Sequence, residues 1–439
     1  MTGIEVGLIS VIAILILIYA GMYVPVALGL VSFVSVWFLR GSTDAPIYLV
    51  TLAASNSLED YVFGVVPLFV LMGLLVSHSQ MGRDIYQVAN QLLYRIRGGL
   101  GVATVAANAA FAAITGVSIA SASVFTRVAV PEMMRFGYKP RFAVGVVAGS
   151  SVLGMLIPPS VMLIIYAIIT EQSVAALFTA GIIPGLMLSF AYIIAIVAMA
   201  TFAPEYVGGQ SKETGQVALE EKLSTGALFS KTAPLVTLIL LVLGGIYGGI
   251  FTPTEAGAVG ALGALIIALL KRKLDRSVLW QVTVETGHIV ASILMLIVAA
   301  TMYSRMLGIS GLPNELGDWI AQADIGLYGI LTIYVLLLII LGTMIDTTSI
   351  ILIMVPLFLP VMAPFNIDLV WFGIITIVGA EIGLLTPPLG ISCYVIKSTL
   401  DDDRISLYDI FAGAFPFAVI MLFVLILLIA FPSLSLFLV

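Results

Sequence analysis

The chain is poor in charged residues, in histidine and in cysteine. Only 10% of its 439 residues are charged, whereas 61% are hydrophobic. Soluble domains have about a quarter of their residues charged, so this balance excludes an ordinary soluble domain. The single cysteine excludes an internal disulfide framework and a cysteine metal cluster. A net charge of −6 gives no indication of nucleic acid as a partner.

Long apolar runs are what the chain has in abundance. A helix needs about 20 apolar residues to cross a bilayer, and runs of this kind recur from one end of the sequence to the other. We therefore predict an all-α polytopic membrane protein. The first run begins at Glu5 with no basic region before it, so we expect a retained helix rather than a signal peptide. The predicted spans are residues 5–20, 22–39, 61–78, 142–169, 174–201, 232–250, 254–270, 283–303, 370–396 and 409–436.

Two further apolar stretches, residues 100–130 and 326–362, do not fit a simple crossing. Basic residues flank the first stretch at both ends, so both ends should lie on the cytoplasmic side. Acidic residues flank the second, and no Lys or Arg occurs between Arg305 and Lys397, so we expect both of its ends outside. These patterns predict two re-entrant helical hairpins that enter from opposite faces, within two halves of inverted topology.

The two halves also share a proline motif. GMLIPPS and GLLTPPL each place a glycine four residues before a Pro–Pro pair. When Pro158 is aligned with Pro387, Gly154 falls on Gly383 without a gap. Each motif lies in a predicted span that follows one of the two hairpins. We therefore predict two broken helices, one beside each hairpin.

The prolines should leave carbonyl oxygens without a donor, because proline has no N–H to pair with the carbonyl four residues earlier. Such oxygens are costly at membrane depth unless something satisfies them. Hard cations prefer oxygen ligands, so we expect Na⁺ there. The alternative is a plain helix kink, the commoner role of such prolines, but two copies beside two hairpins favour ion sites. The carbonyls concerned belong to Gly154, Met155, Gly383 and Leu384.

A few polar residues in these stretches have more than one interpretation. Asp346 could coordinate a cation, cap the helix that follows it, or relay protons. Glu381 lies in a predicted span, where it could face a polar cavity or pair with another group. Thr252 and Glu255 match a capping box, which makes a structural role the favoured one. Arg127 is expected to reach the cytoplasmic interface.

Six segments carry a family resemblance: FAAITGVSIASAS (111–123), GMLIPPS (154–160), AGIIPGL (180–186), TPTEAGAVGA (252–261), DTTSIILIMVPLFLPV (346–361) and EIGLLTPPLG (381–390). Together they resemble the large membrane subunit of a tripartite ATP-independent periplasmic (TRAP) transporter, the DctM-type permease. The resemblance runs along essentially the whole chain. It implies a bacterial inner-membrane protein that imports small carboxylates, such as C4-dicarboxylates, or more rarely zwitterions such as ectoine.

The same resemblance implies an elevator-type secondary transporter driven by Na⁺, with no organic cofactor. Its implied partners are a small four-helix membrane subunit (DctQ type), a periplasmic substrate-binding protein (DctP type), the small organic acid itself and membrane lipids. We expect the small subunit to be a separate chain, since no four-helix block precedes Met1.

Two Na⁺ sites are implied, each between a hairpin and the adjacent broken helix. Ala112 stands where the family often has serine, so the first site would lack a hydroxyl ligand or compensate for it. The first site would use Thr115, Gly154, Ile157 and Pro159, mostly through backbone carbonyls. The second would use Gly342, Gly383, Thr386 and the carbonyl near Leu389. The hairpin tips that would face the substrate comprise Gly116, Ser118, Asp346, Thr347 and Thr348.

This hypothesis divides the chain into scaffold and transport parts. The predicted parts are N-terminal scaffold helices (1–99), a first transport repeat (100–201, with hairpin 100–130 and broken helix 142–169), a cytoplasmic connector (202–231), further scaffold helices (232–325), a second transport repeat (326–400, with hairpin 326–362 and broken helix 370–396) and a C-terminal helix (401–439).

Other function classes are less consistent with the sequence. A membrane enzyme is not expected, because the acidic residues lie in no Gly-x-Gly-Asp motif and neither His-Glu-x-x-His nor Gly-x-Ser-x-Gly occurs. A passive channel conflicts with hairpins that enter from both faces. The nearest rival is an ion-coupled carboxylate carrier that works without a binding protein.

Overall fold

The computed structural model describes residues 2–59, 61–208, 223–323, 325–400 and 402–439. Helices make up the regular structure of these residues, apart from an isolated bridge between Tyr138 and Gly208. The α-helices are Gly3–Tyr19, Val24–Arg40, Asp44–Glu59, Val65–His78, Met81–Leu93, Gly99–Thr115, Ser118–Arg135, Pro140–Ser151, Leu153–Leu156, Val161–Thr170, Val174–Phe202, Pro204–Val207, Thr225–Tyr247, Pro253–Leu270, Arg276–Ser310, Leu312–Gln322, Leu327–Gly342, Thr347–Met362, Leu369–Leu384, Ile391–Leu400, Leu407–Ala430 and Ser433–Leu436.

Seven helices in the described part of the chain are long and apolar enough to cross a membrane, and the first broken helix makes an eighth. The prediction of an all-helical multi-pass membrane protein is thus confirmed. The first two predicted spans form apolar helices of 17 residues each, Gly3–Tyr19 and Val24–Arg40. The segment Thr347–Phe365 is long enough to cross a membrane by itself. The re-entrant course of residues 326–362 therefore stays a prediction.

Three helices of more than ten residues lie outside the predicted spans and hairpins: Asp44–Glu59, Met81–Leu93 and Leu312–Gln322. Met81–Leu93 is amphipathic: Ile85 is buried, whereas Arg83 is exposed. A search for uninterrupted apolar runs misses such a helix because its polar face breaks the run.

The predicted connector, residues 202–231, differs from the structure at its C-terminal end. A helix begins at Thr225, capped by the Ser224 side chain, so the last part of the connector is helical. Residues 209–222 lie outside the described residues. The hydroxyl of Ser224 accepts from the backbone N–H of Ala227, which satisfies one of the free donors of the first turn and sets the boundary.

Residues 100–130 fold as two contacting helices, Gly99–Thr115 and Ser118–Arg135, which we call helix pair 1; residues 116–117 between them are tip 1. The next predicted span is interrupted at its Pro–Pro. Its two segments, Pro140–Leu156 and Val161–Thr170, are bent by 41° at residues 157–160, which we call loop 1.

The second half repeats this arrangement. Helix pair 2 consists of Leu327–Gly342 and Thr347–Met362, with tip 2 at residues 343–346. The second broken helix consists of Leu369–Leu384 and Ile391–Leu400, joined by loop 2 at residues 385–390. The peptide bond between the two prolines is cis in both loops.

Burial concentrates where the helices are broken. Every residue from 142 to 167 is buried, and so is every residue from 370 to 385. The outer helices, in contrast, expose large apolar side chains such as Ile12 (56%) and Leu240 (66%). Exposed apolar surface of this extent is expected for helices that face lipid or a membrane partner. Loop 1 and the segment that leads into loop 2 therefore lie in the buried centre of the molecule, whereas residues 387–389 of loop 2 are exposed.

Candidate ion and substrate site

Tip 1 lies directly against loop 1. The backbone N–H of Val161 donates a 3.2 Å hydrogen bond to the carbonyl oxygen of Gly116. Gly116 adopts a left-handed conformation, with φ of +62°, and a Cβ at this position would lie 2.4 Å from the carbonyl oxygen of Pro159. Only glycine meets both requirements without strain. Three residues of the prediction, Gly116, Thr115 and Pro159, are thus brought together.

Loop 1 is closed by a side chain that the sequence analysis did not single out. The hydroxyl of Ser160 donates to the carbonyl oxygen of Met155 at 2.5 Å and accepts from the N–H of Leu163 at 3.4 Å. The prediction that the Met155 carbonyl lacks a donor is therefore wrong. The residue four positions after Gly154 is Pro158, which has no N–H to offer the Gly154 carbonyl.

The backbones around the first predicted ion site are close-packed. A Cβ on Gly154 would lie 3.1 Å from the carbonyl oxygen of Val117 in tip 1. The hydroxyl of Thr115 is buried and donates to the carbonyl of Phe111 in its own helix. Its oxygen keeps a free lone pair. Ile157 packs against Gly185 of the helix Val174–Phe202, where a Cβ would meet the Ile157 side chain at 2.7 Å.

Tip 2 contacts loop 2 in the corresponding way. The N–H groups of Leu389 and Gly390 point at the carbonyl oxygen of Thr343, at 3.0 and 3.4 Å. Gly342 and Gly383 allow the two backbones to touch, since a Cβ on Gly383 would lie 2.4 Å from the Cα of Gly342. In both halves, a backbone N–H just after the Pro–Pro pair donates to the carbonyl of the facing tip.

In loop 2, the prediction that the Gly383 carbonyl lacks a donor is wrong. The N–H of Thr386 donates to the carbonyl oxygen of Gly383 at 2.9 Å, so this oxygen has a donor despite the proline at 387. The Thr386 hydroxyl donates to the Ile382 carbonyl at 2.8 Å. The two loops differ in exposure, because loop 1 is buried whereas Leu389 in loop 2 is 43% exposed.

A cavity of about 1100 Å³ lies between the two tips and the long helix Arg276–Ser310. Four helices begin at its wall. The first residue of each of these helices lines the cavity: Ser118, Val161, Thr347 and Ile391. Four of the five predicted substrate-facing residues line it, the exception being Gly116: Ser118, Asp346, Thr347 and Thr348.

Helix N-termini carry about half a positive charge each, so they favour an anion. The helix that starts at Ser118 has no side-chain cap, and the Ser118 hydroxyl is buried without a partner among the described residues. The helix that starts at Thr347 is instead capped by Asp346, whose carboxylate accepts from the N–H and the hydroxyl of Ser349. Capping is thus the role of Asp346 that the structure shows, and tip 1 leaves the more available donors.

The helix that begins at Thr347, directly after tip 2, contacts both broken helices through side chains. The hydroxyl of Thr347 donates to Glu381 Oε1 at 2.6 Å, and Thr348 Oγ1 lies 3.5 Å from the sulfur of Met162. Glu381 is 1% exposed, and its Oε2 has no hydrogen-bond partner among the described residues. Of the two interpretations of Glu381, pairing with another group is the one observed.

The cavity wall that the long helix Arg276–Ser310 forms was missed by the sequence analysis. Four polar residues of the long helix line the cavity: Gln281, Glu285, His288 and Ser292. Of these, Glu285 places its Oε2 at 3.9 Å from His78 Nε2. These residues belong to no motif, and only their spacing of three to four positions indicates that they share one helix face. The predicted capping box at Thr252 and Glu255 is confirmed.

The donor set limits the chemistry of the site. Among the described residues, no three His, Cys, Asp or Glu side chains come together as transition-metal ligands. Carbonyl and hydroxyl oxygens crowd the contacts between tips and loops instead, which is the ligand type that fits a hard cation such as Na⁺.

Comparison with known proteins shows which family the chain belongs to. The family described as tripartite ATP-independent periplasmic transporter, DctM component, matches residues 11–434. The C4-dicarboxylate TRAP transporter large permease DctM of Rhodobacter capsulatus is 32% identical over 96% of each chain. The sialic acid TRAP transporter large permease SiaM of Vibrio cholerae is 31% identical over 96% of this chain and 95% of that protein. The ectoine/5-hydroxyectoine large permease UehC of Ruegeria pomeroyi is 30% identical over 85% of each chain.

Two solved structures share the fold. The YdaH transporter of Alcanivorax borkumensis superposes with a TM-score of 0.60 at 13% identity, over 89% of this chain and 90% of that chain. MtrF of Neisseria gonorrhoeae, described as one of a class of antimetabolite efflux pumps, gives a TM-score of 0.58 at 12% identity, over 88% and 84%. Since the family match spans nearly the whole sequence, this chain belongs to the DctM family, the large membrane permease subunits of TRAP transporters.

Proposed function

We propose that the chain imports a small organic anion by Na⁺-coupled secondary transport, as the membrane-embedded translocation subunit of a three-component system. The observation that carries this proposal is the meeting of four helix N-termini on one cavity. Such an arrangement holds a carboxylate without a buried lysine, and it allows weak, reversible binding. A C4-dicarboxylate is the favoured substrate class, since DctM of R. capsulatus is named for one.

The coupling ion is proposed to bind where each tip meets its loop. The ligands of the first site would come from Thr115, Gly154, Ile157 and Pro159. The ligands of the second site would come from Gly342, Gly383, Thr386 and the Leu389 backbone. The close approach of Gly342 and Gly383 and the left-handed Gly116 support this assignment, because side chains at these positions would fill the space beside the carbonyl oxygens. Each Na⁺ would then hold a tip and a loop together, next to the cavity that the anion enters.

Movement is proposed to follow the elevator scheme, in which the two helix pairs and broken helices move as one body against the outer helices. The continuous burial of residues 142–167 and 370–385 supports a rigid inner body. The outer helices expose apolar surface suited to lipid or to a membrane partner. In a bacterial inner membrane, that partner would be a DctQ-type four-helix subunit, and a DctP-type periplasmic protein would deliver the anion.

A zwitterion of the ectoine type is the second candidate substrate, because UehC is similar to this chain at 30% identity. A carboxylate group common to both substrate classes would face the same helix N-termini. A thermal-shift screen of the cognate soluble receptor against small acids and zwitterions separates the two candidates.

Reconstitution tests the proposal itself. Proteoliposomes that contain this chain and the small subunit should take up substrate when loaded receptor and an inward Na⁺ gradient are both present. Uptake should disappear when either the receptor or Na⁺ is omitted. Uptake driven equally well by a proton gradient without Na⁺ would contradict the coupling, and uptake of free substrate without receptor would indicate a carrier independent of a binding protein.

A further inference from the structure

A second cavity, of about 660 Å³, adjoins the cavity between the tips. Arg83, Arg127 and Val128 line both cavities. The second cavity lies between the helices Met81–Leu93 and Ser118–Arg135, at the end of helix pair 1 where basic residues collect. Because basic ends favour the cytoplasmic side, this cavity extends the path from the tips toward the cytoplasm.

The lining of the second cavity carries an excess of positive charge. Three arginines line it against one glutamate. That glutamate, Glu132, is paired with Arg135 at 3.8 Å. Arg83 and Arg127 are exposed and form no ion pair with any described residue. Two guanidinium groups without carboxylate partners thus occupy the junction of the two cavities.

The junction is within reach of an anion that leaves the tips. Arg127 lies nine residues after Ser118, the first residue of the same helix, and the N-terminus of this helix faces the first cavity. Nine residues of helix correspond to roughly 14 Å. Arginine binds carboxylates in a two-pronged geometry that lysine does not reproduce. Both side chains are in contact with water, so their hold on an anion is weak enough to permit release.

We propose that Arg83 and Arg127 form an anion-binding station on the cytoplasmic side, which receives the carboxylate of the transported solute after it leaves the helix N-termini at the tips. The inference rests on the proposed import of an organic anion and adds a second, exit-side site to it. An interfacial role for Arg127 alone does not account for Arg83, which reaches the same junction from a different helix.

A charge-selective labelling experiment tests the station without knowledge of the substrate. Cys393 is the only cysteine and is buried, so Val128→Cys places one accessible thiol at the junction. We expect a sulfonate-bearing methanethiosulfonate to react with it faster than a trimethylammonium-bearing one. Arg83→Gln with Arg127→Gln should lower this rate ratio about tenfold, as removal of two nearby charges in screened water predicts.

Matched variants control for folding and for general surface charge. Arg135→Gln removes an arginine that lines only the second cavity and is already paired, so the ratio should stay within about twofold of the parent. Replacement of Arg83 and Arg127 by lysine should preserve most of the preference for the sulfonate reagent. The proposal is overturned if the rate ratio does not change in the double glutamine variant while the thermal unfolding temperature stays that of the parent.

Protection by an anion completes the test. Millimolar succinate should slow modification of the thiol in neutral-lipid nanodiscs, and the double glutamine variant should lose this protection. Absence of protection, or protection by anionic phospholipid alone, overturns the proposal and in the second case makes the cavity a lipid site. Na⁺-driven uptake by the unmodified protein is measured in parallel: its absence removes the proposed function, whereas intact uptake with an unchanged labelling ratio removes only the station.

Discussion

Thr347 donates a 2.6 Å hydrogen bond to the buried carboxyl of Glu381. Thr347 opens the helix at tip 2 and lines the cavity, whereas Glu381 lies two residues before Gly383 in the second proposed ion site. The bond therefore connects the helix that follows tip 2 to the helix that leads into loop 2. We expect an ion bound at the proposed second site to act on the cavity wall through this contact.

The first prediction concerns this hydrogen bond. Thr347→Val keeps the shape of the side chain but removes the donor, which leaves Glu381 buried without a partner among the described residues. The cost should be about 1–3 kcal/mol of stability, seen as a lower thermal unfolding temperature, together with a weaker Na⁺ dependence of uptake. Thr347→Ser retains the hydroxyl and should behave like the parent. Equal effects of Val and Ser would mean that the bond does not matter.

A second prediction uses the left-handed glycine of tip 1. Gly116→Ala adds both a strained φ and a clash with the Pro159 carbonyl, and the strain alone costs about 1–3 kcal/mol. Gly311→Ala is the matched control, because Gly311 has φ of +74° but a Cβ there would meet nothing within 4 Å. We expect Gly116→Ala to abolish uptake and to lower the unfolding temperature further than Gly311→Ala. Similar losses in both variants would show that strain alone is responsible.

Much of this arrangement can be predicted because the same glycine and proline motif occurs in both halves of the sequence. Apolar runs indicated where most of the long helices lie, and the two Pro–Pro motifs located both helix breaks. What the sequence did not reveal is which donors close the breaks. Ser160 and the Thr386 backbone satisfy carbonyls that prolines cannot. Such local hydrogen bonds depend on the path of the loop, which no residue pattern specifies.

Ser160 provides the third prediction. Ser160→Ala removes both the cap of the helix Val161–Thr170 and the donor to Met155, so we expect a loss of about 2–3 kcal/mol. Ser173→Ala serves as control, since Ser173 caps the next helix through the Ala176 N–H and is exposed. That variant should lose about 1 kcal/mol. Unfolding followed by scanning calorimetry compares them, and a smaller loss for Ser160→Ala would contradict the dual role.

The fourth prediction concerns Asp84, which forms ion pairs with Lys231 at 3.0 Å and with Lys271. Burial of the Asp84 carboxyl acts to raise its pKa, but the hydrogen bonds and charges of the two lysines outweigh it, so the pKa lies below its usual value. A lowered folded-state pKa contributes stability above the unfolded value, about 3.9, and this contribution is lost as the pH falls through the folded value.

Asp84→Asn should therefore lower the unfolding temperature at pH 7, and the difference from the parent should shrink below about pH 4. Thermal unfolding in detergent between neutral and acidic pH measures it. Asp402→Asn is the comparison, because Asp402 pairs with the exposed Arg404 close by in sequence and connects no distant helices. A difference that is independent of pH would show that the ion pairs are not its source.

The cavity wall formed by the long helix marks the limit of prediction from the sequence. Gln281, Glu285 and His288 reach the cavity only because this helix forms one of its walls. Nothing in their local sequence distinguishes them from polar residues at a membrane interface. A motif reports the residues that make a loop, whereas the surface that faces the loop depends on how distant helices pack.

Direct Na⁺ binding to the purified chain is the measurement closest to the central claim that the proline loops hold the coupling ion. We expect saturable ²²Na⁺ binding that K⁺ does not displace. Thr386→Ala should weaken it, whereas Thr283→Ala should not, although each hydroxyl donates a 2.8 Å bond to the carbonyl four residues earlier. Absence of Na⁺ binding, or equal displacement by K⁺, would contradict the account.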